Sequence, residues 1–172
     1  MEFSELDEEL LQKEARDPHM NIFVLSKNVK KCASYHCDQH VVKMILESAQ
    51  MLSTVCNISG RKTEYQPAFR NHPCTKWVQK SLSNWLWLKS LARELNNEFL
   101  NRYSHTAPHK SWTVISKLDE PKIDDIGLTP FVQAMPQKYR VKGDAVTAYR
   151  KYYVSEKRFA KWKFKNPYWW KT

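Results

Sequence analysis

The longest helical pattern in this chain runs from about Asn28 to Cys56, a stretch that contains neither glycine nor proline. Gly60 follows it, and glycine is the residue that most often ends a helix. Within the stretch, apolar side chains cover most of the circumference, which is typical of a helix buried on nearly every side. We therefore expect a mainly α fold: a compact single domain with a buried central helix and long irregular loops.

One narrow stripe of this helix is polar. At 100° per residue, five side chains fall within about 40° of one line, namely those of His36, His40, Lys43, Glu47 and Gln50. A plain solvent-facing stripe is the alternative, but it would be richer in glutamate and lysine than in histidine and glutamine. A carboxylate beside imidazoles and an ammonium on a buried helix is typical of acid-base sites. We expect Glu47, His40 and Lys43 to be catalytic. The two histidines also have a metal-compatible spacing, but no HExxH pattern is present and we expect no metal.

The chain divides at Met20. Residues 1–19 carry seven acidic and two basic side chains and are predicted to form an acidic leader with a short helix over 2–16. This leader is either a lid, a partner-binding arm or an addition foreign to the domain. The functional domain is predicted to span 20–172. It begins with the apolar run 22–25, which we expect to be a buried strand or an extended segment.

Two further helices are predicted. One covers about 73–103, has Pro73 in its first turn and is expected to kink near Ser81–Ser83. The other begins at the capping residue Asp144 and is expected to reach about Trp162. Residues 104–142 contain four prolines and are predicted to be loop with short pieces of structure.

Positive charge is concentrated after the leader. The net charge is +10, and residues 20–172 hold 26 basic and 11 acidic side chains. Such an excess favours a polyanionic partner, because neutralising phosphates releases counterions; the alternative is a basic protein without one. No apolar run is long enough to cross a membrane and no secretory signal is recognisable. We therefore expect no membrane contact, reduced cysteines, and a place in the cytoplasm (the host's, if the protein is viral) or at the nucleoid.

Cations, amides and rings that suit phosphates and unstacked bases are spread over several segments. Some belong to the central helix, some surround the expected helix start at Pro73, and others lie in the basic loop near 105 and in the aromatic, basic carboxyl-terminal part. The candidates for DNA contact are His36, Gln39, Gln50, Arg70, Asn71, His72, Lys76, His105, His109, Lys110, Arg150, Lys151, Tyr153 and Trp169.

Four short blocks resemble those of a known family. They are Asp38-Gln39-His40 with Glu47 seven residues after the histidine, Asn71-His72-Pro73, Met135-Pro136-Gln137-Lys138-Tyr139-Arg140, and Tyr149-Arg150-Lys151-Tyr152-Tyr153. In this order, over about residues 20–160, they resemble the pyrimidine-dimer DNA glycosylase family, the phage endonuclease V family. The resemblance implies a compact, mainly helical enzyme that acts on double-stranded DNA without a cofactor or an obligate protein partner.

The resemblance also implies a mechanism. Family members cleave the N-glycosidic bond of a damaged base, and the best-known one attacks C1′ with its terminal α-amine, so that a Schiff base forms and β-elimination nicks the strand. Glu47 matches the glutamate that stabilises the cationic sugar and assists proton transfer, and His40 matches a histidine of the site. Met20 takes the place of the residue that carries the nucleophilic amine.

Three departures from the family pattern change what we expect of the substrate and of the nucleophile. Leu46 and Gln50 stand where the family has arginines that hold the DNA backbone, so the expected substrate is a damaged or modified pyrimidine rather than specifically a dimer. The nitrogen of Met20 is an internal peptide nitrogen, which is no nucleophile. We expect a protein beginning at Met20 to form a covalent imine with DNA and the 172-residue chain to form none. A side-chain nucleophile, with Lys43 the first suspect, and a plain glycosylase using activated water are the alternatives.

Two other classes of function remain open at this level. One is a non-catalytic nucleic-acid-binding module in which the polar stripe is structural. The other is an enzyme acting on free nucleotides or nucleosides that shares the fold. Dependence of activity on Glu47 excludes the first, and strong salt-dependent affinity for DNA argues against the second.

Overall fold

Two 21-residue helices form the centre of the fold in a computed structural model that describes residues 20–171. Six α-helices follow one another, α1 (Val29–Tyr35), α2 (Asp38–Ile58), α3 (Pro73–Lys80), α4 (Leu82–Arg102), α5 (Lys110–Ser116) and α6 (Ala145–Glu156), with a 3₁₀ turn at Gln137–Tyr139. The long helices α2 and α4 pack against each other, and α1, α3 and α5 pack around them. No strand occurs among residues 20–171. The expected mainly α architecture is therefore confirmed.

Helix α2 is buried as its apolar circumference predicts. Trp85 of α4 lies against it, fully buried, and its indole nitrogen donates to the Leu52 carbonyl at 3.2 Å. All four cysteines are buried and unbridged. Within residues 20–171 no helix is long and apolar enough to cross a membrane. The helix predicted over 2–16 lies outside the described residues.

The continuous helix predicted from Asn28 to Cys56 is wrong in one respect. It breaks after Tyr35, and His36 and Cys37 have extended backbone, with ψ of 135° and 162°. Arg102, at the end of α4, holds this break open because its guanidinium donates to the carbonyls of Ser34 (3.0 Å) and His36 (2.6 Å). The break turns the His36 side chain away from the stripe of α2 and into the interior.

The kink expected near Ser81–Ser83 is present as a complete break between α3 and α4. Ser81 has extended backbone, with φ of −154° and ψ of 144°. One carboxylate oxygen of Asp125 accepts hydrogen bonds from the Ser81 hydroxyl (3.0 Å) and the Ser83 hydroxyl (2.6 Å). The start of α4 is therefore tied to the loop that follows α5.

The predicted cap Asp144 and the predicted place of Pro73 in a first turn are confirmed. His72 caps α3 by accepting from the Cys74 backbone N–H at 3.0 Å, with Pro73 in the first turn, and Asp144 caps α6. Helix α6 is shorter than predicted, however, because it ends at Glu156 instead of near Trp162. The chain then returns without regular structure and packs its tryptophans on the domain; the Trp162 indole donates to the Tyr35 carbonyl at 3.0 Å.

The apolar run at the start of the domain lies in the core. Residues 20–25 are all buried and form neither strand nor helix, and Leu25 lies in a bend whose N–H donates to the Phe23 carbonyl at 3.0 Å. The predicted burial is confirmed, and the strand alternative is wrong. The segment passes between α2 and α6 and carries Asn21 and Phe23 to the polar stripe of the central helix.

Candidate active site

Glu47 lies at the middle of α2, and its side chain is almost fully buried. Its Oε1 accepts a hydrogen bond from the backbone N–H of Asn21 at 3.0 Å. Its Oε2 lies 3.9 Å from Nζ of Lys43, one turn earlier on the same helix. A buried carboxylate is thus held between a peptide N–H and an ammonium, which is the setting that acid-base and cation-stabilising chemistry requires.

Asn21 fixes the position of that peptide N–H. Its side-chain nitrogen donates to the Ala134 carbonyl at 2.7 Å, and its Oδ1 accepts from the Tyr149 hydroxyl at 2.8 Å. Sequence reasoning missed Asn21, because its partners lie more than 110 residues away and only its place beside Met20 pointed to it. The backbone nitrogen that contacts Glu47 is therefore that of Asn21. It belongs to the residue after Met20, which was expected to carry the nucleophilic amine. Met20 is buried with its sulfur 4.0 Å from the Thr75 hydroxyl, and its catalytic role stays a prediction.

His40 is the second buried member of the stripe. Its Nδ1 lies 2.8 Å from the Tyr153 hydroxyl oxygen, which itself accepts from the Cys37 backbone N–H at 3.0 Å. Because that oxygen accepts from Cys37, its own proton is available to Nδ1 of a neutral imidazole. Phe23 stacks on the ring at 4.6 Å between centroids and 8° between planes. Burial, followed by the positive charge of neighbouring groups, holds the pKa of His40 well below its usual value, so the ring is neutral at pH 7.

A second ammonium approaches the site from α6. Lys157, the residue that caps the end of this helix, places its Nζ 4.8 Å from the centroid of the Tyr152 ring and 5.5 Å from that of Phe23. Burial, and after it the charge of Lys43, lowers the pKa of Lys157. Sequence reasoning did not single out Lys157, because α6 was expected to continue past it.

Three of the predicted DNA contacts are interior residues. His36 and Tyr153 are fully buried, and His109 is 4% exposed. Nδ1 of His36 lies 2.7 Å from the Cys32 carbonyl oxygen, and His109 caps α5 by accepting from the Ser111 N–H. Burial lowers the pKa of His36 and of His109 to about 4. Any part these three have in DNA binding is therefore indirect.

The other predicted DNA contacts reach solvent. Gln50, His72, His105, Arg150 and Trp169 are half-buried, and Gln39, Arg70, Asn71, Lys76, Lys110 and Lys151 are exposed. Arg150 is set among rings, its guanidinium carbon 5.5 Å from the Tyr35 and Tyr168 centroids and 5.6 Å from that of Trp169. These residues lie on several elements, and their contacts with DNA stay predictions.

Comparison with known families singles out the part of the chain that carries this site. A family model described as pyrimidine dimer DNA glycosylase matches residues 20–111, more than half of the chain. The match begins at the buried segment that contacts Glu47 and includes all of α2. Comparisons with curated proteins and with solved structures give no match. The chain therefore belongs to the pyrimidine dimer DNA glycosylase family.

Proposed function

We propose that this protein cleaves the N-glycosidic bond of a damaged or modified pyrimidine in double-stranded DNA, with Glu47 as the principal catalytic group. The observation that supports this most directly is the buried Glu47 carboxylate, which lies within the family match and is fixed by Asn21 and Lys43. Cleavage of an N-glycosidic bond develops positive charge on the sugar, and a fixed anion in a water-poor site stabilises that charge.

The neighbours of Glu47 support a division of tasks. The Asn21 N–H occupies Oε1 and keeps the carboxylate in one orientation, so no reorganisation is needed as the sugar becomes cationic. His40, neutral and braced by Phe23 and Tyr153, is suited to shape the sugar pocket and to donate a hydrogen bond through Nε2, because Nδ1 accepts from Tyr153. Lys43 and Lys157 add positive charge near the phosphates that flank the lesion.

The substrate we propose is broader than the pyrimidine dimer. Leu46 and Gln50 replace the arginines that the family resemblance implies on either side of Glu47. Without these two guanidinium groups the site has fewer donors for the DNA backbone at the lesion, while the carboxylate that acts on the sugar is retained. Strand cleavage after base release is a separate step and needs an amine.

Glu47→Gln tests the proposal. The substitution keeps the shape and an oxygen that accepts from Asn21, but removes the charge, so base release from lesion-bearing duplexes is expected to fall by about 100-fold or more, on the scale of other lost electrostatic donors. Thermal unfolding and duplex affinity should change little. Glu64→Gln is the matched control, because Glu64 is exposed and its carboxylate lies 3.7 Å from Nζ of the exposed Lys117.

Base release by Glu47→Gln and the salt dependence of duplex binding together separate the other two classes of function. Residual base release by Glu47→Gln within threefold of the parent would exclude Glu47 as the catalytic group. Duplex binding should weaken with a slope of about −4 to −5 in log affinity against log salt for about five neutralised phosphates. A slope near zero would indicate a nucleotide or nucleoside substrate, and DNA binding with no base release from any lesion would indicate a binding module.

A further inference from the structure

We propose that Phe159 is a wedge for DNA: its ring enters the base stack beside the lesion and takes the stacking place of the nucleotide that has moved into the site. This inference rests on the proposed function, since an enzyme that acts on the sugar of one nucleotide must take that nucleotide out of the duplex. The Glu47 carboxylate is almost fully buried, so the sugar has to come to it and the duplex has to open nearby.

Phe159 lies at the edge of the candidate active site. The centroid of its ring is 5.5 Å from that of His40, with 72° between the two planes. Phe23 packs on the His40 ring as well, but Phe23 is buried, whereas the Phe159 side chain belongs to a residue that is 49% exposed. Phe159 is therefore in contact with the site and still presents apolar surface to a ligand outside it.

Two other exposed rings of the carboxyl-terminal part are placed differently. Phe164 lies beside the amine of the preceding lysine, 5.7 Å from its ring centroid. The hydroxyl of Tyr168 accepts a hydrogen bond from Arg150 at 2.9 Å. A single exposed apolar side chain is ordinary on a protein surface, so exposure alone means little here. The contact with His40 is what distinguishes Phe159.

A fixed turn holds the Phe159 ring in place. The backbone N–H of Ala160 donates to the Lys157 carbonyl at 2.9 Å and closes a turn that contains Phe159. The Lys157 N–H donates to a carbonyl in the last turn of α6 at 2.9 Å, and the Asp38 N–H at the start of α2 donates to the Lys161 carbonyl at 2.8 Å. Both ends of the turn are thus tied to helices, and a ring that is positioned in advance loses little conformational freedom on binding.

Basic side chains flank the ring in sequence. Lys157 and Arg158 precede Phe159 and Lys161 follows it, and both Arg158 and Lys161 are exposed. The guanidinium carbon of Arg158 lies 5.3 Å from the centroid of the Trp170 ring. Cations around an exposed ring suit a stack of bases bordered by phosphates, and apolar wedges of this kind unstack a base step in an opened duplex. This charge favours a nucleic acid over an apolar partner for the ring.

Binding of the full-length protein to two duplexes of one sequence tests the inference. One duplex is intact; in the other, the incomplete duplex, a tetrahydrofuran residue replaces one nucleoside, so that one base is missing from the stack. We expect the unaltered protein to prefer the incomplete duplex. Phe159→Ala should weaken binding to the incomplete duplex by about tenfold and binding to the intact duplex little. The slope of log affinity against log salt should stay the same, because the ring neutralises no phosphate.

Two further variants complete the comparison. Phe159→Trp keeps an aromatic ring at this position and should keep the preference for the incomplete duplex. Phe164→Ala is the matched control, because it removes another exposed phenyl ring from the same part of the chain and should leave the preference unchanged. Thermal unfolding of each variant shows whether its fold is intact.

A fluorescent base gives a second measurement. The adenine analogue aminopurine, placed beside the tetrahydrofuran residue, is quenched when it stacks on other bases. A phenyl ring in the vacant place keeps those bases apart, so emission should rise when the unaltered protein or Phe164→Ala binds, and not when Phe159→Ala binds. No rise with the unaltered protein would overturn the inference, whether or not Phe159→Ala folds.

Each outcome of the binding experiment decides the question. Loss of the preference in Phe159→Ala but not in Phe164→Ala supports the wedge, and an unchanged preference overturns it. Reduced base release by Phe159→Ala with an unchanged preference would show that the ring only supports His40. Base release from lesion DNA by a protein without the preference would leave the proposed glycosylase standing and remove only the wedge. A preference that depends on Phe159, without base release from any lesion, would do the reverse.

Discussion

Single side chains of the site are positioned by groups from distant parts of the chain. The Tyr153 hydroxyl is the clearest case, because it joins the backbone N–H of Cys37 to Nδ1 of His40 across more than 110 residues. Both partners are buried, so neither has water to replace the tyrosine. The orientation of His40 and the start of α2 therefore depend on one phenol group from α6.

Tyr153→Phe should accordingly lower the free energy of unfolding by about 1–3 kcal/mol, because a buried N–H loses its partner. Base release should fall as well, since the His40 ring loses the hydrogen bond that orients it. Urea unfolding and single-turnover base release measure the two effects. Tyr65→Phe is the control, because its half-buried hydroxyl contacts the Ser111 hydroxyl at 2.9 Å and neither residue belongs to the site. Equal losses in both variants would mean that Tyr153 has no special role.

For single side chains, the sequence predicts only the relative positions of residues that share one helix. The spacing of His40, Lys43 and Glu47 predicts that they lie along one face of α2, and Lys43 and Glu47 do lie 3.9 Å apart. Asn21 and Lys157 escaped prediction because tertiary packing, not sequence spacing, brings them to the site. His36 lies outside the predicted polar stripe because the helix ends at Tyr35 and the next one begins at Asp38.

At the scale of helices, the break between α1 and α2 is caused by a residue that belongs to neither helix. The local sequence between Ser34 and Asp38 contains no glycine or proline, and nothing in it predicts an interruption. Arg102 supplies the cause, because it bonds the carbonyls at the end of α1 and the Asp38 carboxylate at the start of α2, at 3.2 Å. The break at Ser81, by contrast, was anticipated from the serines themselves.

Arg102→Met should therefore destabilise the protein by about 3–5 kcal/mol, the usual cost of removing one partner from a buried charged network. The side chain is nearly fully buried, and its loss leaves the carbonyls of Ser34 and His36 without their donor. Chemical denaturation gives the value. Arg93→Met, at an exposed position of the same helix, should stay within about 0.5 kcal/mol of the parent; a similar small change for Arg102→Met would show that α1 and α2 need no external clamp.

At the scale of the whole molecule, three buried histidines make stability depend on pH. Burial lowers the pKa of His36 and of His109 to about 4, and that of His40 also lies well below its usual value. The unfolded chain binds these protons near pH 6.5, while the folded chain does not, so stability is complete above that pH and is lost as the pH falls towards 4.

Between pH 7 and pH 5, His36 and His109 should each contribute a loss of about 2 kcal/mol, with His40 adding in the same direction. Urea unfolding at a series of pH values measures this slope. The carboxylate of Asp125, whose pKa is lowered to about 2 by its serine and glycine donors, does not titrate in that range. His36→Gln should make the slope shallower, and a stability that stays level from pH 7 to pH 5 would contradict the assignment.

The burial of residues 20–25 has a consequence for synthesis on the ribosome. Asn21 is among the first residues of the domain to leave the exit tunnel, and its partner Tyr149 emerges 128 residues later. Helices α2 and α4 can form and pair earlier, because their contacts are closer in sequence. The carboxylate of Glu47 thus acquires its final surroundings only after Tyr149 has emerged, and a nascent chain that stops short of α6 would have helices α2 and α4 before it had the site.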